Sequence, residues 1–213
     1  MKIKYLGHAC FVIISDAGIR IVTDPYEPSE TLTYGEIRES ADIVTVSHEH
    51  FDHNNASAVG GNPRVVRGAG TADIKGIAIK GIASYHDDAE GVKRGNNTIF
   101  RFEVDGMVVC HLGDLGHRLS AQQAAELGPV DVLLIPVGGF YTIDARVATE
   151  VCSQINARVI IPMHFKTEKG IPNITGIDDF LRGKSNVSRL GSSEVELGEL
   201  PTATQIIVME SAL

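Results

Sequence analysis

The chain is short of positive charge, of cysteine and of long apolar runs, and each shortage removes a class of protein. Lys and Arg together number 19 against 27 Asp and Glu, a net charge of -8. A broad surface that tracks nucleic-acid phosphates is therefore disfavoured, and a small-molecule substrate fits better. The three cysteines, Cys10, Cys110 and Cys152, are odd in number and widely spaced. Two of them lie in apolar, strand-like runs, as reduced buried thiols do, so no disulfide framework is expected. No stretch approaches the length that crosses a bilayer. The charged start Met1-Lys2-Ile3-Lys4 is followed by a run broken at Gly7-His8 and again at Asp16, with no small-residue cleavage site. It reads as a strand rather than a signal, and a cytoplasmic protein is the expectation.

What is present is an ordinary enzyme-like composition, 43% hydrophobic over 213 residues, enough for one well-filled domain spanning 1-213. No repeat, low-complexity tract or linker interrupts it. Short apolar runs at Ile3 to Leu6, Cys10 to Ser15 and Ile19 to Thr23 are separated by Gly7-His8 and by Asp16-Ala17-Gly18, which predicts an antiparallel start. Further strands are predicted at 43–47, 63–67, 77–84, 97–104 and 107–111, the last two joined by Asp105-Gly106 as a tight hairpin. Helical periodicity follows at 120–127, 145–156 and 177–181, alternating with apolar runs at 132–136 and 159–163. A closing strand is expected at 206–209, while the segment from Ser185 onward either packs on the core or contributes to a subunit interface.

The densest chemistry is the hexapeptide His48-Glu49-His50-Phe51-Asp52-His53, directly after the apolar run Ile43-Val44-Thr45-Val46. His48 and His50 lie two apart, so extended backbone points both to one side, while Asp52 and His53 can turn toward a second position. Such a loop can hold two metals. Other donors recur just past apolar runs: His86 after Ala83-Ser84-Tyr85, Asp114 after the run through Cys110 to Gly113, and His164 after Val159 to Met163. Singly, each has a plain alternative: a loop hydrogen bond for His86, a turn aspartate for Asp114, a satisfied core histidine for His164. Jointly, five of the eight histidines at four strand ends form a pattern that scattered structural histidines would rarely produce.

With these residues the sequence resembles the metallo-β-lactamase-fold superfamily of binuclear metal hydrolases. The signature His-x-His-x-Asp-His is present as His48, His50, Asp52 and His53, and the later motifs match at His86, Asp114 and His164 in order. Asp24 matches an early aspartate that supports the metal loop in that superfamily. Leu6-Gly7-His8-Ala9-Cys10-Phe11, His111-Leu112-Gly113-Asp114, the stretch from Pro136 to Thr142 and Pro162-Met163-His164-Phe165 are similar to a compact group related to the L-ascorbate 6-phosphate lactonases. Ile143-Asp144 departs from that group's pattern in a loop that borders the site, which weakens the substrate analogy there.

The resemblance implies a four-layered α/β/β/α sandwich, of the α+β class, with metals at one edge of two central sheets. It implies a first metal on His48, His50 and His86, a second on Asp52, His53 and His164, and Asp114 bridging them. Imidazole and carboxylate donors without cysteine favour two Zn2+ ions; Mn2+ or Fe fit the same set. A metal-bridging hydroxide would then cleave a small ester, lactone or phosphoester, with Asp52 orienting it. His8 and His111 join Asp52 as catalytic candidates, either as hydrogen-bond partners of the ligands or as proton donors. Tyr141, Arg118, His117, Lys166 and the pair Lys93-Arg94 are candidates for contact with an anionic or phosphorylated substrate. A homo-oligomer is compatible with all of this. Three other functions compete. A nuclease or phosphodiesterase of the tRNA-processing kind would need a basic docking arm that this acidic chain lacks. A non-catalytic metal-binding protein would keep every ligand, and a redox di-iron protein would place a carboxylate where His50 stands.

Overall fold

The computed structural model describes residues 1–213. A first sheet contains β1 (Lys2–Gly7), β2 (Cys10–Ile14), β3 (Arg20–Thr23), β4 (Ile43–Val46) and β5 (Arg64–Arg67). A second contains β6 (Gly70–Ile74), β7 (Ile77–Tyr85), β8 (Asn96–Val104), β9 (Met107–His111), β10 (Val132–Pro136) and β11 (Val159–Met163). The remaining strands are β12 (Val187–Arg189), β13 (Glu194–Glu196) and β14 (Gln205–Val208). The orders are β13-β1-β2-β3-β4-β5 and β12-β14-β11-β10-β9-β8-β7-β6. The segment after Ser185 therefore packs on the core, feeding one edge of each sheet.

Strand alternation sorts side chains between the faces of these sheets. Ile3, Tyr5, Phe11, Ile13 and Ile21 of the first sheet meet Ile79, Phe100, Phe102, Val109, Leu134 and Ile161 of the second in the central core. The outer face of the second sheet carries Ile99, Cys110, Leu133 and Ile135. It is covered by α1 (Ala121–Leu127), α2 (Ala145–Ile155) and α3 (Ile177–Leu181), which bury Leu127, Val151 and Phe180 against it. On the outer face of the first sheet, Val12, Val22 and Val44 pack under Tyr26, Leu32, Tyr34 and Ile37. The sandwich expected above is thus present, but this fourth layer is irregular chain with a single 3-10 turn at Ala56–Ala58, not an α-helix.

Local signals explain most boundaries. Ser120 caps α1 with a capping box, its Oγ accepting from the Gln123 N–H while Gln123 Oε1 accepts from the Ser120 N–H, so the helix begins one residue later than predicted. Asp144 caps α2 through the Val147 N–H, and Asn156 adopts the left-handed conformation that ends it. Asp105 and Gly106 both take positive φ in the β8–β9 hairpin, as a two-residue turn requires. Cys10 and Cys110 are buried and Cys152 half-buried, all as free thiols. No helix is long and apolar enough to cross a membrane.

Strand direction positions the site. β3, β4 and β5 run parallel, and β1, antiparallel to β2, shares that direction. In the second sheet β9, β10 and β11 are parallel, and β7 runs the same way through the antiparallel β8. The carboxyl ends of β1, β4, β7, β9 and β11 therefore meet at one rim. The backbone crosses between sheets there: the Thr98 N–H donates to Ser47 O and the His164 N–H to His8 O, both at 2.9 Å.

Candidate metal centre

The loops leaving those five ends bring together every metal ligand expected from the sequence. Potential donor atoms of His48, His50 and His86 lie within 4.8 Å of one another, and a second group within the same limit holds Asp52, His53, His164 and His8. Between the groups stands Asp114. Its Oδ1 is 3.3 Å from His53 Nε2, and its Oδ2 is 3.3 Å from both His86 Nε2 and His164 Nε2. One carboxylate so placed touches both groups.

These atoms fit divalent cations by a further criterion. His48 Nε2, His53 Nε2, His164 Nε2 and Asp114 Oδ1 are fully buried and have no hydrogen-bond partner. A buried polar atom without a partner is costly, and a cluster of them at one point is a set of lone pairs arranged for a cation. Nitrogen and carboxylate oxygen donors suit zinc and also manganese or iron.

The candidate ligands are aimed by the residues beneath them. Asp24 is fully buried with φ +41°. Its Oδ1 accepts the Ser47 N–H at 2.8 Å, and its Oδ2 accepts from Ser47 Oγ and from His53 Nδ1 at 2.9 Å. Ser47 Oγ, having given its proton to Asp24, accepts from His48 Nδ1 at 2.9 Å. A carboxylate only accepts, so this relay fixes Nδ1 as the donor in both rings and leaves both Nε2 atoms facing the centre. Asn97 does the same for Asp114: its Oδ1 accepts the Asp114 N–H at 3.0 Å while its Nδ2 donates to Leu112 O and Ser84 Oγ. Gly113, φ +55°, must be glycine, because a Cβ would stand 2.4 Å from Asn97 Oδ1 and 2.5 Å from Ser47 Cβ.

The charge pattern follows from burial and proximity. Burial lowers His48 to about 3 and, with His164 beside it, lowers His8 to about 4. Burial opposes the charges of His53 and Asp114 too, yet their mutual attraction wins. Asp114 and Asp52 hold His53 well above its ordinary value, while His164 and His53 hold Asp114 well below its own.

The two histidines proposed for catalysis part company. His8, with φ +56°, places Nε2 3.2 Å from Asp52 Oδ2 and its ring 4.2 Å from that of His164, inside the donor cluster. His111 sits between the sheets with Nε2 2.8 Å from Ala9 O and Nδ1 accepting the Gly113 N–H. Both of its ring nitrogens are engaged by backbone, so of the roles weighed for it the proton donor has no free atom, and the ring acts as a hydrogen-bonding support of the Gly113 turn.

A cavity of about 590 Å3 opens over the centre, lined by His50, Asp52, His86, Asp114 and His164 and by Thr31, Glu49, Phe51, Lys93, Arg94, Tyr141 and Ile171. Of the substrate-contact candidates, Lys93, Arg94 and Tyr141 reach it. Arg118 is paired with Glu150, His117 Nε2 accepts the Tyr85 N–H, and Lys166 is absent from the cavity wall. Ser47 and Asn97 were missed by sequence reasoning. Ser47 carried the signal of adjacency to the first ligand; Asn97, at the head of a strand, carried none.

Comparison with known proteins decides the family. Residues 2–164 match the β-lactamase superfamily domain. A metal-dependent hydrolase of Methanospirillum hungatei is 33% identical over 190 residues, 78% of this chain and 84% of that protein. The chain belongs to the metallo-β-lactamase superfamily of metal-dependent hydrolases. The hydrolase is also similar to the crystal structure of a candidate Zn-dependent hydrolase of this superfamily from Thermotoga maritima. That match has 42% identity, TM-score 0.84, and covers 99% of this chain and 98% of that one. A candidate metal-dependent hydrolase from Parabacteroides distasonis, 18% identical with TM-score 0.66 over 98% of this chain and 92% of that one, shares the fold.

Proposed function

We propose that the protein is a binuclear, zinc-favouring hydrolase of small esters, lactones or phosphoesters, and that Asp114 is the ligand shared by its two metals. The observation that carries this reading is the placement of the Asp114 carboxylate 3.3 Å from imidazoles of both donor groups, among buried nitrogens with no other partner. When bound, two divalent cations supply a water acidified to near neutrality and polarise the bond to be cut.

The chain's own residues do the rest. His48, His50 and His86 form one cradle; Asp52, His53 and His164 form the other. His8 donates through Nε2 to Asp52 Oδ2 and so holds that carboxylate at the cavity floor, where it orients the attacking water by accepting its proton-bearing edge. Asp24 and Ser47 lock two ligand rings, Asn97 and His111 brace the Gly113 turn, and the Phe51 and Ile171 side chains narrow the approach. The bulk of the chain is acidic, and the cavity is a pocket rather than a basic track, which favours a small molecule over nucleic acid.

The test is hydrolysis by zinc-reconstituted protein across a panel of lactones, carboxylic esters and phosphodiesters, with metal content measured on the same sample and Asp114→Ala as control. Turnover of one class that disappears in the control supports the reading. Two metals bound without turnover of any class would favour a metal-dependent binding protein instead.

A further inference from the structure

The loop from His86 to Gly95, between β7 and β8, carries a feature that the metal site does not use. Asp87 is buried, and its carboxylate accepts four backbone N–H groups, from Ala89, Gly91, Lys93 and Arg94, at 2.7 to 2.9 Å. The loop closes on itself where Gly95 O accepts the His86 N–H at 3.0 Å. Its base is pressed against Gly116, where a Cβ would stand 2.2 Å from the Asp87 nitrogen. A loop tied this tightly places Arg94 at a fixed offset from the ligand His86.

Arg94 is half-buried and lies over the Tyr141 ring, 5.6 Å from its centroid. It borders the cavity above the metal centre and also the neighbouring groove of about 620 Å3, which shares Lys93 and Tyr141 with it. Every other charged group on that cavity wall has a partner. Lys93 pairs with Asp88 at 2.6 Å, Glu49 with Arg67 at 2.7 Å, and Asp52 and Asp114 with imidazoles. Arg94 has no carboxylate within ion-pair distance, which leaves its guanidinium free to pair with an anion from outside the chain. A guanidinium pre-oriented on an aromatic face is a planar fork that matches a phosphate or carboxylate two bonds at a time.

We infer that Arg94, held by Asp87 and stacked on Tyr141, docks an oxyanion that the substrate carries away from the bond being cut. This rests on the hydrolase reading and narrows it: the substrates are small anionic esters or lactones rather than neutral ones.

Three probes that differ at one terminus test it: gluconate, with a hydroxyl there; glucarate, with a carboxylate; and 6-phosphogluconate, with a phosphate. Their dissociation constants are measured by calorimetry on zinc-loaded and on chelator-treated protein, for the wild type and for Arg94→Ala, Arg94→Lys and Asp87→Ala. Wild type prefers glucarate, 6-phosphogluconate or both to gluconate by about five- to tenfold. Arg94→Ala abolishes that preference, Arg94→Lys retains part of it, and Asp87→Ala loses it with the circular dichroism spectrum unchanged. Whether glucarate or 6-phosphogluconate shows the larger ratio tells which oxyanion is meant. No preference in the wild type, or a preference that survives Arg94→Ala, overturns the inference. A protein that takes up no zinc would instead overturn the hydrolase reading, and the ratio on chelator-treated protein would still decide the role of Arg94.

Discussion

Replacing Asp24 with Asn probes the aiming of the metal ligands while leaving the ligands themselves untouched. Asn matches the shape of Asp and tolerates the positive φ at this position, so the backbone has no reason to move. What changes is that three donors converge on the group, the Ser47 N–H, the Ser47 hydroxyl and His53 Nδ1, and the amide has one accepting oxygen where the carboxylate has two. With the amide nitrogen toward His53, that ring must turn its donor proton to Nε2 and aim it at the metals. With the amide nitrogen toward Ser47, a buried backbone N–H loses its acceptor, at a cost of about 1–3 kcal/mol. The first outcome weakens zinc binding by about 10–100-fold, equivalent to about 1.4–2.7 kcal/mol, as loss of an outer partner does. The second lowers the melting temperature by about 2–4 °C for each kcal/mol lost. Chelator competition for zinc and thermal unfolding of the metal-free protein read the two. Wild-type values in both assays would refute the claim that Asp24 orients His53 and, through Ser47, His48.

Asp114→Ala removes an atom shared by both donor groups, so zinc affinity and hydrolysis fall by more than the about 10–100-fold expected for an outer-partner loss, measured by elemental analysis and initial rates. Because Asp114 and Asp52 raise the proton affinity of His53 in the metal-free site, metal binding competes with a proton for its Nε2. Calorimetry in buffers of different ionisation enthalpy should show proton release at pH 7, with affinity falling as pH falls. His8 and His48 have depressed values of about 4 and about 3, so the unfolded chain binds more protons than the fold once pH drops below about 6.5. Metal-free stability in urea is therefore lost progressively from that pH toward pH 4; His53, whose value is raised, works in the opposite sense and loses its contribution as pH rises above about 6.5, so stability is greatest near that pH. Gly113→Ala forces a Cβ into Asn97 and Ser47, and should lower both the melting temperature and zinc occupancy, whereas Gly128→Ala, with open space around it, should leave occupancy unchanged.

The candidate metal ligands were legible in the sequence because metal chemistry restricts donor types and because parallel strands deliver their carboxyl ends to one rim. His48, His50, Asp52 and His53 are adjacent in the chain, and His86, Asp114 and His164 each follow an apolar run. The supporting residues were less visible because their roles depend on contacts far apart in sequence. Asp24 was reached only through the family resemblance, and its contacts with Ser47 and His53, like that of Asn97 with Asp114, span intervals that no local pattern marks. His111 shows the opposite hazard: beside a ligand in sequence, it stands on the strand face that points between the sheets, where Ala9 O and the Gly113 N–H take both nitrogens. The unpredicted strands β6, β12 and β13 are edge or near-edge strands, short or rich in exposed residues, and exist because a neighbour offers a ladder rather than because of their own periodicity. The irregular fourth layer was hidden for a related reason, since Tyr26, Leu32 and Tyr34 cover the first sheet without a repeating pattern.

The most direct test of the binuclear centre is an anomalous difference map from crystals of the zinc-loaded protein, recorded on both sides of the zinc absorption edge. The account predicts two peaks, one among His48, His50 and His86 and one among Asp52, His53 and His164, with the Asp114 carboxylate between them. A single peak, or none at these residues, would contradict it.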